Sequence, residues 1–343
     1  MAKDITLVLP GLRRFEDEVY RELLAPAERL PALELIIARS RNNNFAARNL
    51  DQTLWRLFGM PPIADAGLPA AALAHSLRYE TSPDYWYMHC DPVVIQPNRD
   101  HLLMLGNSML EFSEQEALQI ISDINGTYDD QPWRLKLLTA NQWIMEMPRA
   151  PAIKTHALSS VTGEKIYEFL PTGGEAKTWH ALMNELQMLL HSHPVNQARA
   201  ASGLPAANSI WFWGEGRLPV AAARPNAWAQ CWSQHTSTLA LAKLNKIPHC
   251  DLPATANDWL KLAMPPGSHL VVMDFLDAPA LFMDPALWWQ ALSRLNAQWL
   301  APLLAALQNK TLTKITLHTA DGGIFELTPA RAKRWWKRIK ALI

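Results

Sequence analysis

At 343 residues, 49% of them hydrophobic and 19% charged, the chain has apolar material for one large or two ordinary domains and is no disordered polymer. Lys plus Arg and Asp plus Glu both total 32, so the formal net charge is zero, which argues against a broad basic surface for nucleic acid or an anionic membrane. The longest wholly apolar stretch, residues 299–307, is too short to cross a bilayer and contains Pro302.

The first predicted element is a buried strand over residues 5–9, closed by a Pro10-Gly11 turn. The apolar run that contains it ends in Arg13-Arg14 with no small-residue cleavage site, so it does not read as a signal peptide. Cys90, Cys231 and Cys250 are odd in number and widely spaced, which fits reduced thiols, and a cytoplasmic location is expected. A helix is expected over residues 15–30, and residues 31–80 read as Ala/Leu-rich helix broken at Asn42-Asn43-Asn44 and Pro61-Pro62.

Residues 85–95 are aromatic and β-branched with a proline break, and predict two short strands. Ser113-x-x-Glu116 is a capping box that should open a helix running to Asn125-Gly126. Residues 133–147 read as a strand pair. Residues 175–191 predict a helix with Leu182, Met183, Leu186, Leu189 and Leu190 on one face. A strand is expected over residues 269–275, one long amphipathic helix over 284–308, and a hairpin over 312–327 around Asp321-Gly322-Gly323. A basic helix carrying Arg331, Lys333, Arg334, Lys337, Arg338 and Lys340 should follow from Pro329. Strands separated by helices predict an α/β fold with a mainly parallel sheet. The 15 tryptophans, several in couples such as Trp211/Trp213 and Trp288/Trp289, are expected chiefly in the core and at internal seams.

The segment NELQMLLHSHPVNQARAASGLPAANSIWFWGEGRLP, residues 184–219, resembles the "hPvN..R…aNsiWlWGqG..P" block of archaeal-type cofactor-independent phosphoglycerate mutases in the alkaline-phosphatase superfamily. The opening LVLPGL, the CDPV at Cys90–Val93, LNELQMLLH and WFWGEG together resemble a bacterial group of such proteins, the rpf-cluster regulatory protein E type. The resemblance implies an alkaline-phosphatase-like core with a smaller inserted α+β domain; on this sequence the core would take residues 1–80 and 175–343, and the insertion residues 81–174.

The resemblance also implies phosphoryl transfer by two divalent metals and a Ser or Thr nucleophile. Two adjacent dications repel each other unless carboxylates and imidazoles hold them. The family's first strand ends in Asp-Gly, with the Asp a ligand; here the strand ends in Pro10-Gly11. The family's H-l-e-a-p-D-e-a-G-H run resembles residues 274–284, with its Asp falling on Ala280 and its last His on Asp284. The late t-D-H-s motif resembles Ala320-Asp321-Gly322-Gly323, keeping an Asp and losing the His. Asp284 and Asp321 are the residual metal candidates, and Thr236, Ser237 and Thr238 are weak nucleophile candidates. The expected function is therefore a mutase-like protein that has lost most of its metal ligands and acts in regulation or ligand binding, with no cofactor. The alternative is a metal-dependent phosphomutase or phosphatase using Mn or Mg at a rearranged site that includes Asp277, Asp284 and Asp321.

Asn196, Arg199, Trp213, Gly214, Gly216 and Arg217 are the candidate ligand-binding residues. The two arginines would take a phosphate or carboxylate, and the glycines would let backbone come close. The competing reading is that Arg and Asn pin loops while Trp fills a seam. His191 and His193 have a spacing open to metal, against a helix-end role. Asp91 with His89 is either catalytic or a turn opener. An anionic or phosphorylated small molecule and a protein partner are the expected partners; membrane and nucleic acid are not.

Overall fold

The computed structural model describes residues 3–13, 29–44, 47, 49–61, 68–98, 101–223, 228–262, 264–277 and 284–339. Its strands, in chain order, are β1 (Lys3–Val8), β2 (Arg41–Asn44), β3 (Trp86–Asn98), β4 (His101–Gly106), β5 (Arg134–Thr139), β6 (Gln142–Met147) and β7 (Ser209–Gly216). They continue with β8 (Trp228–Trp232), β9 (His249–Cys250), β10 (Gly267–Val272), β11 (Lys314–His318) and β12 (Gly323–Leu327). Two compact units result, Met1–Pro62 with Ala221–Ile343, and Ile63–Val220.

The first unit holds a seven-stranded sheet in the order β2-β12-β11-β1-β10-β8-β9. From β11 through β9 every pairing is parallel, whereas β12 and β2 are antiparallel. The central strand β1 is buried because covered parallel strands need apolar side chains on both faces. Ile5, Leu7, Val271, Ile315 and Leu317 join Trp288, Leu292, Leu295, Trp299, Leu300, Leu303 and Leu307 in one core.

The second unit holds an antiparallel sheet, β4-β3-β6-β5, with β7 also paired to β3. Helices Glu114–Thr127 and Ala176–Ser192 contribute Ile120, Ile124, Trp179, Met183, Leu186 and Leu190 to a core shared with Trp143, Ile210, Trp211 and Phe212. Helix Ala70–Arg78 packs Ala71, Ala72 and Ala74 with Tyr87, Leu138 and Ile144. The sequence reading places the domain boundaries at 80/81 and 174/175; the compact units divide at 62/63 and 220/221. The difference has a packing cause, since the helix Ala176–Ser192 and β7 bury their apolar faces on the β3 side.

The expected strand and hairpin at the two ends of the chain form, and Ser113 and Glu116 make the capping box in both directions. Residues 85–95 are not two strands but part of one continuous β3. One edge of β3 pairs with β7 from Tyr87 to Val93, while its other edge changes partner, from β6 up to His89 to β4 from Val94. Pro92, which lacks an N–H, falls in that gap, where the ladder is already interrupted. Asn42-Asn43-Asn44 is not a simple helix break but the end of edge strand β2, held on β12 by backbone pairing.

The expected helix over 284–308 is three pieces: Pro285–Leu295, a π-helical turn Asn296–Leu300, and Ala301–Gln308. Pro302 lacks a donor for a continuous ladder, and the widened turn just before it absorbs the mismatch. The basic C-terminal helix is corrected to a single turn, Pro329–Ala332; Lys333 to Ile339 follow as turns and irregular chain, and Lys340 lies outside the described residues. Most of the helix expected over 15–30 also lies outside them.

Candidate functional site

In parallel sheets, ligand sites form from the loops beyond the carboxyl ends of the strands. In the first unit those loops are Leu9–Gly11 after β1, Ser233–His235 after β8, Met273–Asp277 after β10 and Thr319–Gly322 after β11. The strand ends abut: Leu9 donates its N–H to the His318 carbonyl at 2.8 Å, and Met273 donates to the Val8 carbonyl at 3.0 Å.

Thr236, Ser237 and Thr238 open helix Thr236–Leu244 directly after β8. Thr236 is exposed, and Thr238 is buried with no hydrogen-bond partner for its hydroxyl. Ser237 alone of the three meets a carboxylate, donating to Asp51 Oδ1 at 2.9 Å. Asp51 sits in the first turn of helix Leu50–Leu57, capped by Asn49. Asp277 is near these groups. Desolvation first, then the negative charges of Asp274 and Asp51, raise its pKa above the ordinary carboxylate value, and His235 opposes that rise. The Asp277 residue as a whole is exposed. Asp51 and His235 escaped the sequence reading; an acid in a helix's first turn reads as an ordinary dipole partner.

The described residues at the compared metal positions have these surroundings. Pro10 has no donor atom in its side chain, and the Gly11 carbonyl beside it accepts from Trp288 Nε1 at 2.8 Å. Asp284 is the N-cap of helix Pro285–Leu295, its Oδ1 accepting from the Leu287 N–H at 2.9 Å. Asp321 closes its own turn: Oδ1 accepts from Thr319 Oγ1 and from the Gly323 N–H at 3.2 Å, and Oδ2 lies 4.0 Å from Arg13. Gly322 adopts φ +106°, the left-handed region that suits glycine in this turn. Ala280 lies outside the described residues. Among the described residues, no group of three or more His, Cys, Asp or Glu is placed to hold a metal ion.

The second unit contains the remaining candidates. Asn196 is buried, with Nδ2 donating to the carbonyls of Leu190 (2.8 Å) and Ala207 (2.7 Å). Arg199 is 4% exposed, and the anion it meets is Glu116 at 3.0 Å. Its guanidinium also donates to the carbonyls of Pro205 and Leu110 and lies 4.5 Å from the Phe112 ring centre. These contacts fasten helix Pro194–Ala201 to the capping box of Glu114–Thr127. Arg217 is exposed, stacked 5.6 Å above Trp86, so the two arginines have different surroundings.

Gly214 and Gly216 do let a backbone come close, and the neighbour is the start of helix Ala70–Arg78. A Cβ on Gly216 would sit 2.4 Å from Pro69 Cβ, and one on Gly214 would sit 3.1 Å from Ala70 Cβ. Trp213 stacks on His89 with ring centres 4.1 Å apart and donates Nε1–H to Asp91 Oδ2 at 2.8 Å. Asp91 also accepts from the Trp143 N–H at 3.1 Å, so this buried pair belongs to a structural network and not to an opened turn. His193 Nδ1 accepts from the Val195 N–H and Nε2 faces Asp123 at 3.1 Å, leaving neither ring nitrogen for a metal shared with exposed His191.

No protein-family profile matches the chain. It is 44% identical over 59 residues to the 2,3-bisphosphoglycerate-independent phosphoglycerate mutase of Methanosarcina barkeri, 17% of this chain and 15% of that one. It is 30% identical over 128 residues to a probable enzyme of the same name from Geobacter sulfurreducens, 37% and 32% of the two chains. With the Methanosarcina acetivorans enzyme it shares 24% over 219 residues, 59% and 52%. The matches thus span about half the length of these curated relatives or less. Among solved structures, the cofactor-independent phosphoglycerate mutase of Thermoplasma acidophilum superposes with a TM-score of 0.50 at 17% identity, covering 96% of this chain and 90% of that one. A Pyrococcus horikoshii protein superposes at 0.60 with 13% identity, covering 95% and 87%. The fold is that of the cofactor-independent phosphoglycerate mutases. It is α/β, alkaline-phosphatase-like, with a mainly parallel sheet in its first unit.

Proposed function

We propose that this phosphoglycerate-mutase-like chain has lost the ligand set of a two-metal site and serves as a regulatory or ligand-binding protein for an anionic or phosphorylated small molecule. One observation carries the reading: Asp284 and Asp321, the two carboxylates left at the compared positions, are engaged as a helix cap and a turn closure. Both carboxylates already accept from backbone N–H groups, and Pro10 supplies no side-chain donor. Two-metal phosphoryl transfer needs several such donors at once. Calorimetric titration with 3-phosphoglycerate and with inorganic phosphate, each with Mn²⁺ and with EDTA, tests the proposal. Binding unaltered by chelation is the expected result. Binding that requires Mn²⁺ would contradict it.

A second reading, a metal-dependent phosphomutase or phosphatase with a rearranged site, has one observation in its favour. Ser237 is hydrogen-bonded to Asp51, and Asp277, whose pKa is raised, lies close by. A hydroxyl against a carboxylate is the start of an activated nucleophile. Among the described residues no group of three or more His, Cys, Asp or Glu is placed to hold the metal this reading needs.

A further inference from the structure

The last described residues combine exposed large apolar side chains with a run of cations. Trp335 and Trp336 are 81% and 63% exposed, and Ile339 is exposed beside them. Around them stand Arg331, Lys333, Arg334, Lys337 and Arg338, with no acidic residue after Glu326. Among the described residues no carboxylate forms an ion pair with any of these five cations. The segment is anchored at its start, where Ala332 is buried in the first unit's core and its carbonyl accepts from Arg39. Beyond Ala332 the chain makes turns, with its indoles in water.

The sequence spacing says what such a segment is suited to meet. Ala332, Trp335, Trp336 and Ile339 recur at three- and four-residue intervals, and Leu342 and Ile343 continue the series. Arg331, Arg334, Arg338, Lys333, Lys337 and Lys340 occupy the intervening positions. Wound as a helix, this pattern puts an apolar stripe with two indoles on one side and cations on the other, which is the composition of a helix lying in a membrane interface. A nucleic-acid strand would use the cations and the indole faces but has no use for the aliphatic members of the stripe.

We propose that residues 329–339 form a peripheral docking element for an anionic lipid surface, folding into an amphipathic helix on contact. Trp335, Trp336 and Ile339 enter the headgroup boundary and the cations meet lipid phosphates and carboxylates. This contact runs against the expectation drawn from overall net charge, because the attraction is local and falls off within a Debye length.

Flotation of the full chain with phosphatidylcholine vesicles, and with phosphatidylcholine–phosphatidylglycerol vesicles, tests this. Binding to the anionic vesicles alone is expected, weakening as salt rises. The Trp335→Ala/Trp336→Ala and Lys337→Gln/Arg338→Gln variants should each bind at least about tenfold more weakly. Both pairs are exposed, and unchanged thermal unfolding of the variants would show that the fold persists. Brominated lipid should quench the fluorescence of the wild-type chain and not that of the double Trp variant. Absence of vesicle binding, binding unchanged by the Trp substitutions, or retention only on a single-stranded oligonucleotide would overturn the proposal.

Discussion

Ser237 donates its hydroxyl proton to Asp51 across 2.9 Å, joining the first turns of two helices whose sequences lie 186 residues apart. The pair lies close to the carboxyl end of the parallel sheet, with Asp277 and His235 as neighbours. In the proposed function it holds this end of the first unit together. Ser237→Ala should therefore lower stability by about 1.5 kcal/mol, the low end of the range for a hydrogen bond to a charged group. Urea denaturation measures it, and a change near zero would mean that the bond contributes nothing to the fold.

Arg199 gives a sharper test of structural against ligand-binding roles. Its removal unpairs two carbonyls and Glu116 and opens space beneath Phe112. Arg199→Met should cost about 3 kcal/mol of stability. If Arg199 instead served a ligand, urea midpoints would hold while phosphate binding fell.

Gly216→Ala brings a methyl group to within 2.4 Å of Pro69 Cβ and 2.8 Å of Pro69 Cα. The backbone cannot yield cheaply there, so a loss of about 1–3 kcal/mol is expected. Gly126→Ala, where an added Cβ meets nothing within 4 Å, is the control and should stabilise or leave stability unchanged.

Acid stability follows from two buried histidines. Burial lowers the pKa of His318 to about 4; for His75, burial and then the positive charge of Lys136 lower it to about 4, with Glu146 opposing. Both are kept neutral in the fold, while the unfolded chain takes up protons near 6.5. The unfolded state therefore binds more protons between those values, and stability rises with pH through that window. It should be fully present above about pH 6.5 and decline towards pH 4 by about 3 kcal/mol for each histidine. His75→Gln should flatten the slope, which denaturation at a series of pH values would show.

The sequence made the parallel core legible because its strands are short apolar runs and its long helices carry one apolar face. It also showed the Ser113–Glu116 cap, whose partners are three residues apart. What it concealed depends on distant partners. The role of Arg199 is set by Glu116, 83 positions away, and that of Ser237 by Asp51. Strand β2 is four polar residues with no strand signature, paired only because β12 presents an open edge. Pro92 read as a break since its two neighbouring strands, β6 and β4, are separate in sequence. The engagement of Asp284 and Asp321 could be foreseen only as an N-cap and a turn.

The central claim is that no two-metal phosphoryl transfer takes place at the carboxyl end of this sheet. Losing a single preorganised electrostatic group typically costs about 10²–10³ in rate, and groups that act as a unit fail together. The most direct measurement is a coupled assay for conversion of 3-phosphoglycerate to 2-phosphoglycerate with Mn²⁺ present, run on the wild-type chain and on Thr236→Ala, Ser237→Ala and Thr238→Ala. The account predicts no turnover above background in any of the four. Robust wild-type turnover that one of these substitutions abolishes would contradict it.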